Sequence, residues 1–508
     1  MKLINWIKRI LSSRYVILSI CFIIELLFIL IPSLILSRSF IGVYVVSIVN
    51  FIFIVYIVNK KKSQNFKLAW IIVLCALPFV GIVLYLLFAD KRIPRKLSGY
   101  SHEFQQDSGF YMKDHSAKVS RLRDPSLIEQ FRYVEDYSNY PCFNGTSCKY
   151  FSNGADFFDD FIDKLSNAKN FIFIEFFIVK HGEMLDRLCD VLEKKCKEGV
   201  KAYFLMDDLG CLPYDSSDTI NRLKNIGVNV TVFSKVSFPT IFKTSYRDHR
   251  KIIVIDNKYA YTGGINIADE YIGKAFPFGE WMDSALLITG KAVSSYSLMF
   301  IQFFNYSAKC SLKPSDFIDK VYSTFNRSFV LPFSDSPTDE ENIARNVQLN
   351  LINNAKKYLY ICTPYLIIDD EFENALLMKA KTHVRTVLLV PGIPDKKFVF
   401  MATRSHYESL IKGGVEIYEY TPGFMHSKLM VADGNVALEG SINLDFRSHF
   451  LQFESGILIA KDKCIKDMSK DFLDTIKISK KITMDDIKAT KLISSIARAI
   501  VNIFAPLF

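Results

Sequence analysis

The chain has 508 residues, of which 50% are hydrophobic and 23% charged, and its formal net charge at pH 7 is +10. This length accommodates two compact domains, and the mean hydropathy of +0.16 is high for a purely soluble protein. The ten cysteines include no Cys-x-x-Cys pair, which argues against a disulfide framework and a Cys-x-x-Cys metal site. The positive charge predicts an anionic partner.

Three apolar runs near the start predict a membrane anchor over residues 1–97. They cover residues 15–36, 40–58 and 68–88, and each is close to the roughly 20 residues that a helix needs to cross a bilayer. A cleaved signal peptide is the alternative for the first run, but that run is longer than a signal core and lacks a small-residue cleavage site. Buried helices of a soluble protein are the alternative for all three. Pro78 and Gly81 predict a kink in the third run.

The basic residues beside these runs predict two opposite orientations. Those before the first run, and those between the second and third, favour a cytoplasmic N-terminus, which puts the rest of the chain outside. The basic residues after the third run favour the other side, and they are Lys91, Arg92, Arg95 and Lys96. Next to three apolar runs, anionic phospholipid is a simpler partner than nucleic acid.

After residue 140 the chain alternates predicted strands and helices, and the pattern occurs twice. Three pairs of segments match in order: NAKNFIFIEFFIV and NAKKYLYICTPYLI, VKAYFLMDD and VRTVLLVPG, and GVNVTVF and GVEIYEY. Their β-branched and aromatic runs predict buried strands. We therefore predict an α/β fold of two duplicated domains, residues 98–315 and 316–484. Their largely parallel sheets are expected to pack with pseudo-two-fold symmetry.

Each half then reaches a His-x-Lys-x4-Asp motif. The motif residues are His249, Lys251 and Asp256 in the first half, and His426, Lys428 and Asp433 in the second. Seven residues after each Asp, the sequences GGIN and GSIN add Asn266 and Asn443. Residues two apart on a strand point to the same side, so each His and its Lys are predicted to face one site.

Two such sets around one phosphate predict phosphodiester transfer without a metal or a cofactor. One imidazole attacks phosphorus and forms a phospho-histidine, while the other protonates the leaving oxygen. The two Lys and two Asn side chains stabilise charge on the non-bridging oxygens. Each histidine needs an acceptor for its far nitrogen, and Asp283 and Glu454 are the candidates, each for the histidine of its own half. Asp256 and Asp433 are expected to brace a loop.

These residues resemble those of the phospholipase D superfamily, and in particular its bacterial cardiolipin synthases. The resemblance is carried by DHRKIIVIDNKYAYTGGINIADEY, TPYLIIDDE, YEYTPGFMHSKLMVADG, GSINLDFRSHFLQFE and the third apolar run. It implies that two phosphatidylglycerol molecules yield cardiolipin and glycerol, at a bacterial cytoplasmic membrane with a multi-pass anchor. It also gives both motifs catalytic roles, Asp256 and Asp433 included, and makes His249 the nucleophile.

Two positions depart from the family pattern, and several functions remain open. Gly264 stands where many superfamily members have Ser or Thr, and Gln452 stands where Asn is expected, which bears on acceptor contacts. A phospholipase D-type hydrolase, or another phosphatidyltransferase such as a phosphatidylserine synthase, would use the same residues. The apolar runs and the NLDFRS stretch argue against a superfamily nuclease, and the intact motifs argue against a non-catalytic scaffold.

The last segment, residues 485–508, predicts an amphipathic helix. Apolar residues recur there at helical spacing, with Lys491 and Arg498 on another face. This helix is expected either on the membrane surface or against the catalytic domains. The sequence does not predict an oligomeric state.

Overall fold

A computed structural model describes residues 40–60, 64–89, 117, 119–214, 216–235, 246–338 and 341–489, with Arg498 and Val501. The described residues belong to two compact units, a small N-terminal one that ends at residue 89 and a larger one from residue 117 onward. The predicted span over residues 15–36 lies outside the described residues, as does most of the predicted C-terminal helix.

The N-terminal unit is a helical hairpin followed by a sharp bend. Its helices are α1 (Phe40–Val58), α2 (Gln64–Ala76) and α3 (Pro78–Leu84), and a π-helical turn follows (Tyr85–Ala89). Helix α1 coincides with the second predicted run, and among the described residues only this helix is long and apolar enough to cross a membrane. Asn50 Nδ2 donates to the carbonyl oxygen of Leu74 at 3.1 Å and ties α1 to α2.

The third predicted run, residues 68–88, is not one continuous helix. It breaks at Leu77, whose backbone angles (φ −136°, ψ 71°) are not helical. Pro78 follows, and proline disfavours a helical conformation in the residue before it. Gly81 lies so close to α2 that a Cβ there would be 2.9 Å from the Val73 carbonyl oxygen. The predicted kink is confirmed, and the described residues do not establish a three-span anchor.

The larger unit contains two sheets of the same topology. The strands of the first half are β1 (Thr146–Phe151), β2 (Phe171–Phe176), β3 (Lys201–Asp207), β4 (Asn229–Phe233), β5 (Arg247–Asp248), β6 (Ile252–Ile255), β7 (Tyr259–Gly263), β8 (Glu280–Met282) and β9 (Ala285–Gly290). The strands of the second half are β10 (Phe329–Asp335), β11 (Tyr358–Cys362), β12 (Arg385–Pro391), β13 (Glu416–Tyr420), β14 (Gly423–Met425), β15 (Leu429–Ala432), β16 (Val436–Gly440), β17 (Gln452–Ala460) and β18 (Lys480–Lys481).

The strand order repeats between the halves, which confirms the predicted duplication. The first sheet runs β1-β9-β7-β6-β2-β3-β4, and the second runs β10-β17-β16-β15-β11-β12-β13-β18. Within these two orders, β2, β3 and β4 pair in parallel, as do β11, β12 and β13, and the remaining neighbours are antiparallel. The predicted largely parallel sheet is therefore wrong. The turns after β6 and β15 are too short for a crossover helix, so the chain returns antiparallel.

Helices enclose the two sheets on their outer faces and separate them inside. Those of the first half are α4 (Pro125–Ser138), α5 (Gly154–Ser166), α6 (Glu183–Lys197), α7 (Asp208–Cys211), α8 (Ser216–Asn225) and α9 (Val293–Ala308). Those of the second half are α10 (Ile343–Asn354), α11 (Asp370–Lys381), α12 (Lys397–Ser405), α13 (Tyr407–Lys412), α14 (Phe446–Phe450), α15 (Cys464–Lys477) and α16 (Met484–Lys488). Residues of α9 and α15 share one core with both sheets, whose members include Phe173 and Tyr360. The halves thus pack face to face.

Local sequence explains these elements. Helix α5 begins after Asn153, whose side chain accepts the backbone N–H of Asp156 at 2.9 Å and caps the helix. Phe157, Phe161 and Leu165 recur at helical spacing, and all three are buried against the first sheet. Strand β2, with the sequence FIFIEF, is buried on both faces because helices cover both sides of the sheet.

Two segments from outside the second sheet pack against the second half. Helix α4, which the domain prediction assigned to the first half, contributes Phe131 to the core of the second, next to Leu331 and Val347. Near the C-terminus, Val501 packs against a cluster that contains Ala402 and Phe446. This contact favours the catalytic domains over the membrane surface for that residue.

Two short strand pairings cross between the halves and position both motifs. Strand β5 pairs in parallel with the start of β17, and β14 pairs in parallel with β8. Strands β5 and β14 end directly before His249 and His426. The backbone N–H of His249 donates to the Phe453 carbonyl oxygen at 3.0 Å, and that of His426 donates to the Met282 carbonyl oxygen at 2.7 Å. Each histidine is therefore held by the opposite half.

Candidate active site

His249 lies against a buried glutamate of the second half. Its Nδ1 is 3.1 Å from both carboxylate oxygens of Glu454. Ser441 Oγ donates to the same carboxylate, and Ser448 Oγ donates to it at 2.8 Å. With its amide oriented to satisfy both neighbours, Gln452 donates to Glu454 Oε1 at 3.0 Å and accepts from Arg447 Nε at 3.3 Å. Gln452, which stands where the family pattern has Asn, therefore supports the acid that holds His249.

His426 lies against a buried aspartate of the first half. Its Nδ1 is 2.6 Å from Asp283 Oδ2, and Asp283 Oδ1 accepts the backbone N–H of Ser284 at 2.8 Å. The other departure from the family pattern is explained here. A Cβ on Gly264 would lie 2.2 Å from Asp283 Oδ1, so this shorter acid occupies the space that a Ser side chain would need. In the second half Ser441 is accommodated beside the longer Glu454.

The acids Asp283 and Glu454 thus contact the histidines as predicted, but the predicted pairing within each half is wrong. The partners cross, because the β5–β17 and β14–β8 pairings bring each motif next to the acid-bearing strand of the opposite half. A carboxylate on Nδ1 leaves Nε2 of each imidazole facing the space between the halves and fixes the ring orientation. Neither half forms a complete site alone.

The two lysines bring both positive charges to the same centre. Lys251 Nζ donates to the carbonyl oxygen of His249, and Lys428 Nζ donates to that of His426. Burial lowers the pKa of Lys251 to about 7, a net value that includes an opposing effect of Glu454 and a further lowering effect of Lys428. Burial likewise lowers the pKa of Lys428 to about 8, against the opposing effect of Asp283. Two buried ammonium groups repel each other, so an anion between them is favoured.

The charges around the histidines differ between the halves. Burial, followed by Lys251 and Lys428, holds the pKa of His249 well below its ordinary value. Burial and Lys428 lower the pKa of His426 to about 3, against Asp283. Burial raises the pKa of Glu454 to about 7. Burial also acts to raise the pKa of Asp283, but Lys428 and His426 outweigh it and hold that pKa below its ordinary value.

The two asparagines have different surroundings, and their predicted contact with phosphate stays a prediction. Asn266 Oδ1 accepts the backbone N–H of Ile178 at 3.1 Å, and its Nδ2 donates to Tyr271 Oη at 2.8 Å, so both ends have protein partners. Asn443 is buried, and its Oδ1 has no hydrogen-bond partner in the described part of the chain. The structure therefore gives Asn266 a role in positioning Tyr271.

The aspartates of the motifs lie at the far ends of β6 and β15 from the histidines. Asp256 accepts the backbone N–H groups of residues 169, 170 and 171 at 2.7, 2.7 and 2.9 Å. Asp433 accepts those of residues 356, 357 and 358 at 2.8, 2.7 and 3.0 Å. Both have left-handed backbones, with φ of 53° and 56°. They brace the chain that leads into β2 and β11, which is the role predicted from the sequence pattern. The catalytic role that the resemblance implied for these two aspartates stays a prediction.

Sequence reasoning missed a set of aromatic side chains on the His426 side. Its members are Tyr271, Trp281 and Phe424, whose ring centroids lie 5.7, 5.5 and 5.8 Å from that of His426. On the other side, Phe177 alone among the described rings contacts His249, edge-to-face with the ring centroids 5.1 Å apart. The signal was present in EWMD and GFMH, where Trp281 and Phe424 stand two residues before Asp283 and His426.

Comparison with known proteins gives matches over most of the chain. A family model described as "Cardiolipin synthase, PLD-like domain" matches residues 161–293 and again 349–476, and a second, described as "Phospholipase_D-nuclease N-terminal", matches residues 48–89. A cardiolipin synthase from Alkalihalophilus pseudofirmus is 30% identical over 494 residues, covering 94% of this chain and 97% of that protein. One from Clostridium perfringens is 32% identical over 466 residues, with coverage of 88% and 95%.

The chain belongs to the cardiolipin synthase family. Both halves match the same family model, so this membership includes the duplication. Among solved structures, a phosphatidylserine synthase from Haemophilus influenzae superposes with a TM-score of 0.56 over 74% of this chain and 97% of that one, at 15% identity. At this identity the likeness concerns the fold alone.

Proposed function

We propose that this protein joins two phosphatidylglycerol molecules into cardiolipin and releases glycerol. The observation that carries the proposal is the pair of crossed His–acid contacts, His249 with Glu454 and His426 with Asp283, beside two buried lysines. This arrangement provides a nucleophile, a proton carrier and two positive charges for one phosphodiester. Membership of the cardiolipin synthase family supports phosphatidylglycerol as donor and acceptor.

The proposed reaction has two displacements at phosphorus. In the first, Nε2 of His249 attacks the phosphorus of one phosphatidylglycerol, the bond to the headgroup glycerol breaks, and His426 gives its Nε2 proton to that leaving oxygen. In the second, His426 takes the proton from the terminal hydroxyl of another phosphatidylglycerol. The resulting oxygen attacks phosphorus, and the bond to His249 breaks. Lys251 and Lys428 offset the negative charge on the non-bridging oxygens in both steps.

The different acids support these separate roles. Asp283 holds a pKa below its ordinary value, so its negative charge stabilises a proton on His426 during transfer. Glu454, with a pKa of about 7 and hydrogen bonds from two serines, is a weaker charge partner and orients the ring of His249. We therefore take His426, beside the more acidic carboxyl, as the proton carrier, and His249 as the nucleophile.

We further propose a multi-pass anchor in the bacterial cytoplasmic membrane. Helix α1 provides one span, and the apolar sequence of residues 15–36 provides a second. The broken segment α2–α3 packs against α1 through a cluster that contains Ile57, Trp70 and Tyr85.

Expression in a bacterium that lacks cardiolipin synthases tests the proposed function. Mass spectrometry of the lipids should find cardiolipin with the full chain and none with His249→Ala, at equal protein levels. Accumulation of phosphatidic acid without cardiolipin would instead support the hydrolase, and a new phosphatidyl lipid with another headgroup would support a different transferase.

A further inference from the structure

The aromatic residues beside His426 continue outward from the site. Phe278 lies 6.4 Å from the Trp281 ring and 6.3 Å from the Phe424 ring, one step further from the histidine. Two residues earlier on the same loop, Phe276 is 62% exposed. An apolar path therefore leads from the imidazole to the protein surface.

Three loops meet where this path reaches the surface. The backbone N–H of Glu280 donates to Pro422 O at 3.0 Å, and that of Ile393 donates to Gly423 O at 3.2 Å. The third loop carries Ile393, which is 40% exposed, and leads into α12, where Phe398 is 69% exposed. We call Phe276, Phe278, Ile393 and Phe398 the apolar rim.

The opposite side of the site has no comparable path in the described residues. Glu454, next to His249, is surrounded by Ser441, Ser448 and Gln452, which are all polar. Within the part of the chain that the structure describes, the two ends of the site thus differ in chemistry, although the strand topology of the halves is the same. Exposed large apolar side chains cost solubility, and when they adjoin a site they mark an interaction surface.

We propose that the apolar rim inserts into the headgroup region of an anionic bilayer, and that the diacylglycerol part of the substrate lipid reaches the site along it. This inference rests on the proposed function, because it takes a two-chain lipid as substrate. Aromatic side chains next to lysines suit that region, since the rings bury apolar area and the ammonium groups stay at the phosphates. Lys274, Lys396 and Lys397 flank the rim, and the nearby Asp395 is bonded to both Tyr365 Oη and Lys396.

The kinetic test compares membrane-bound with water-soluble substrate in the full chain. In vesicles of long-chain phosphatidylglycerol, the triple variant Phe276→Ser, Ile393→Ser, Phe398→Ser should lose at least about tenfold in kcat/KM, because three apolar side chains no longer enter the bilayer. With dihexanoyl-phosphatidylglycerol below its micelle concentration, which reaches the site from water, the loss should be at least about threefold smaller than in vesicles. Phe325→Ser is the matched control, since Phe325 is fully exposed in the segment that connects the two halves and is not part of the rim.

An equal loss on both substrates, an equal effect of Phe325→Ser, or an unchanged activity in vesicles would each overturn the proposal. A second readout is independent of catalysis. The emission of a Phe276→Trp variant in vesicles should be quenched by lipids brominated near the headgroup, relative to wild type, and absence of that quenching also overturns it. If wild type makes no cardiolipin but the quenching occurs, the proposed function fails and the membrane surface stands.

Discussion

The crossed pairing of acids and histidines leads to a prediction for Asp283→Asn. The Asp283 Oδ2 to His426 Nδ1 distance is 2.6 Å, and both groups are buried, so the contact is a charge-assisted hydrogen bond. Such bonds contribute about 1.5–3 kcal/mol. If the contact stabilises the protonated imidazole in the transition state, turnover should fall about 10- to 150-fold, at about 1.4 kcal/mol for each factor of ten.

The assay separates the two displacements with lipid that carries radioactive phosphorus. Asp283→Asn impairs His426, so this variant should accumulate labelled enzyme, as His426→Ala should. Glu454→Gln impairs His249, so this variant should form little labelled enzyme, as His249→Ala should. Asp471→Asn is the control for loss of a partly buried acid, because Asp471 accepts a hydrogen bond from Tyr150 and contacts neither histidine.

The opposite labelling pattern would refute this reasoning. If Asp283→Asn prevented labelling while Glu454→Gln permitted it, each acid would serve the histidine of its own half, or the two histidines would have exchanged roles. Comparison with the two His→Ala variants distinguishes these cases. A loss of less than about threefold in Asp283→Asn would show that the contact does not act in the rate-limiting step.

Three further predictions follow from the site. Gly264→Ser should reduce kcat at least about tenfold, because its Cβ would lie 2.2 Å from Asp283 Oδ1, and kinetics at the wild-type level would contradict this packing. The KM for phosphatidylglycerol should rise between about pH 7 and 9, since Lys251 and Lys428, with pKa values of about 7 and about 8, lose positive charge as the pH increases; a flat KM over this range would argue against phosphate binding by the lysines. Asp256→Ala removes three hydrogen bonds to backbone N–H groups and should lower the free energy of unfolding by about 3 kcal/mol in denaturant titrations, with kcat of the folded protein unchanged; a large loss of kcat without loss of stability would restore a catalytic role.

Much of the fold was readable because the same strands occur twice along the chain. Their buried, β-branched sequences identify strands irrespective of direction, which is why the duplication was predicted correctly and the strand direction was not. Direction depends on the connection, and after β6 the chain turns within Asp256, Asn257 and Lys258. A sequence-based expectation of alternating strands and helices overlooked such short returns.

The membership of the site was also readable, but its internal contacts were not. Asp283 and Glu454 each stand a short strand beyond an Asn, which was enough to select them. Their partners depend on strand pairs that join residues 205 positions apart, as for His249 and Glu454. Hydropathy patterns do not specify such tertiary pairings, and the aromatic residues beside His426 escaped for the same reason.

The most direct test of the central claim is a product balance for the purified full chain. Phosphatidylglycerol labelled in its headgroup glycerol is the only lipid supplied, with a metal chelator present. One glycerol should be released for each cardiolipin formed, without phosphatidic acid, and neither His249→Ala nor His426→Ala should form cardiolipin. Glycerol released with an equal amount of phosphatidic acid and no cardiolipin would contradict it.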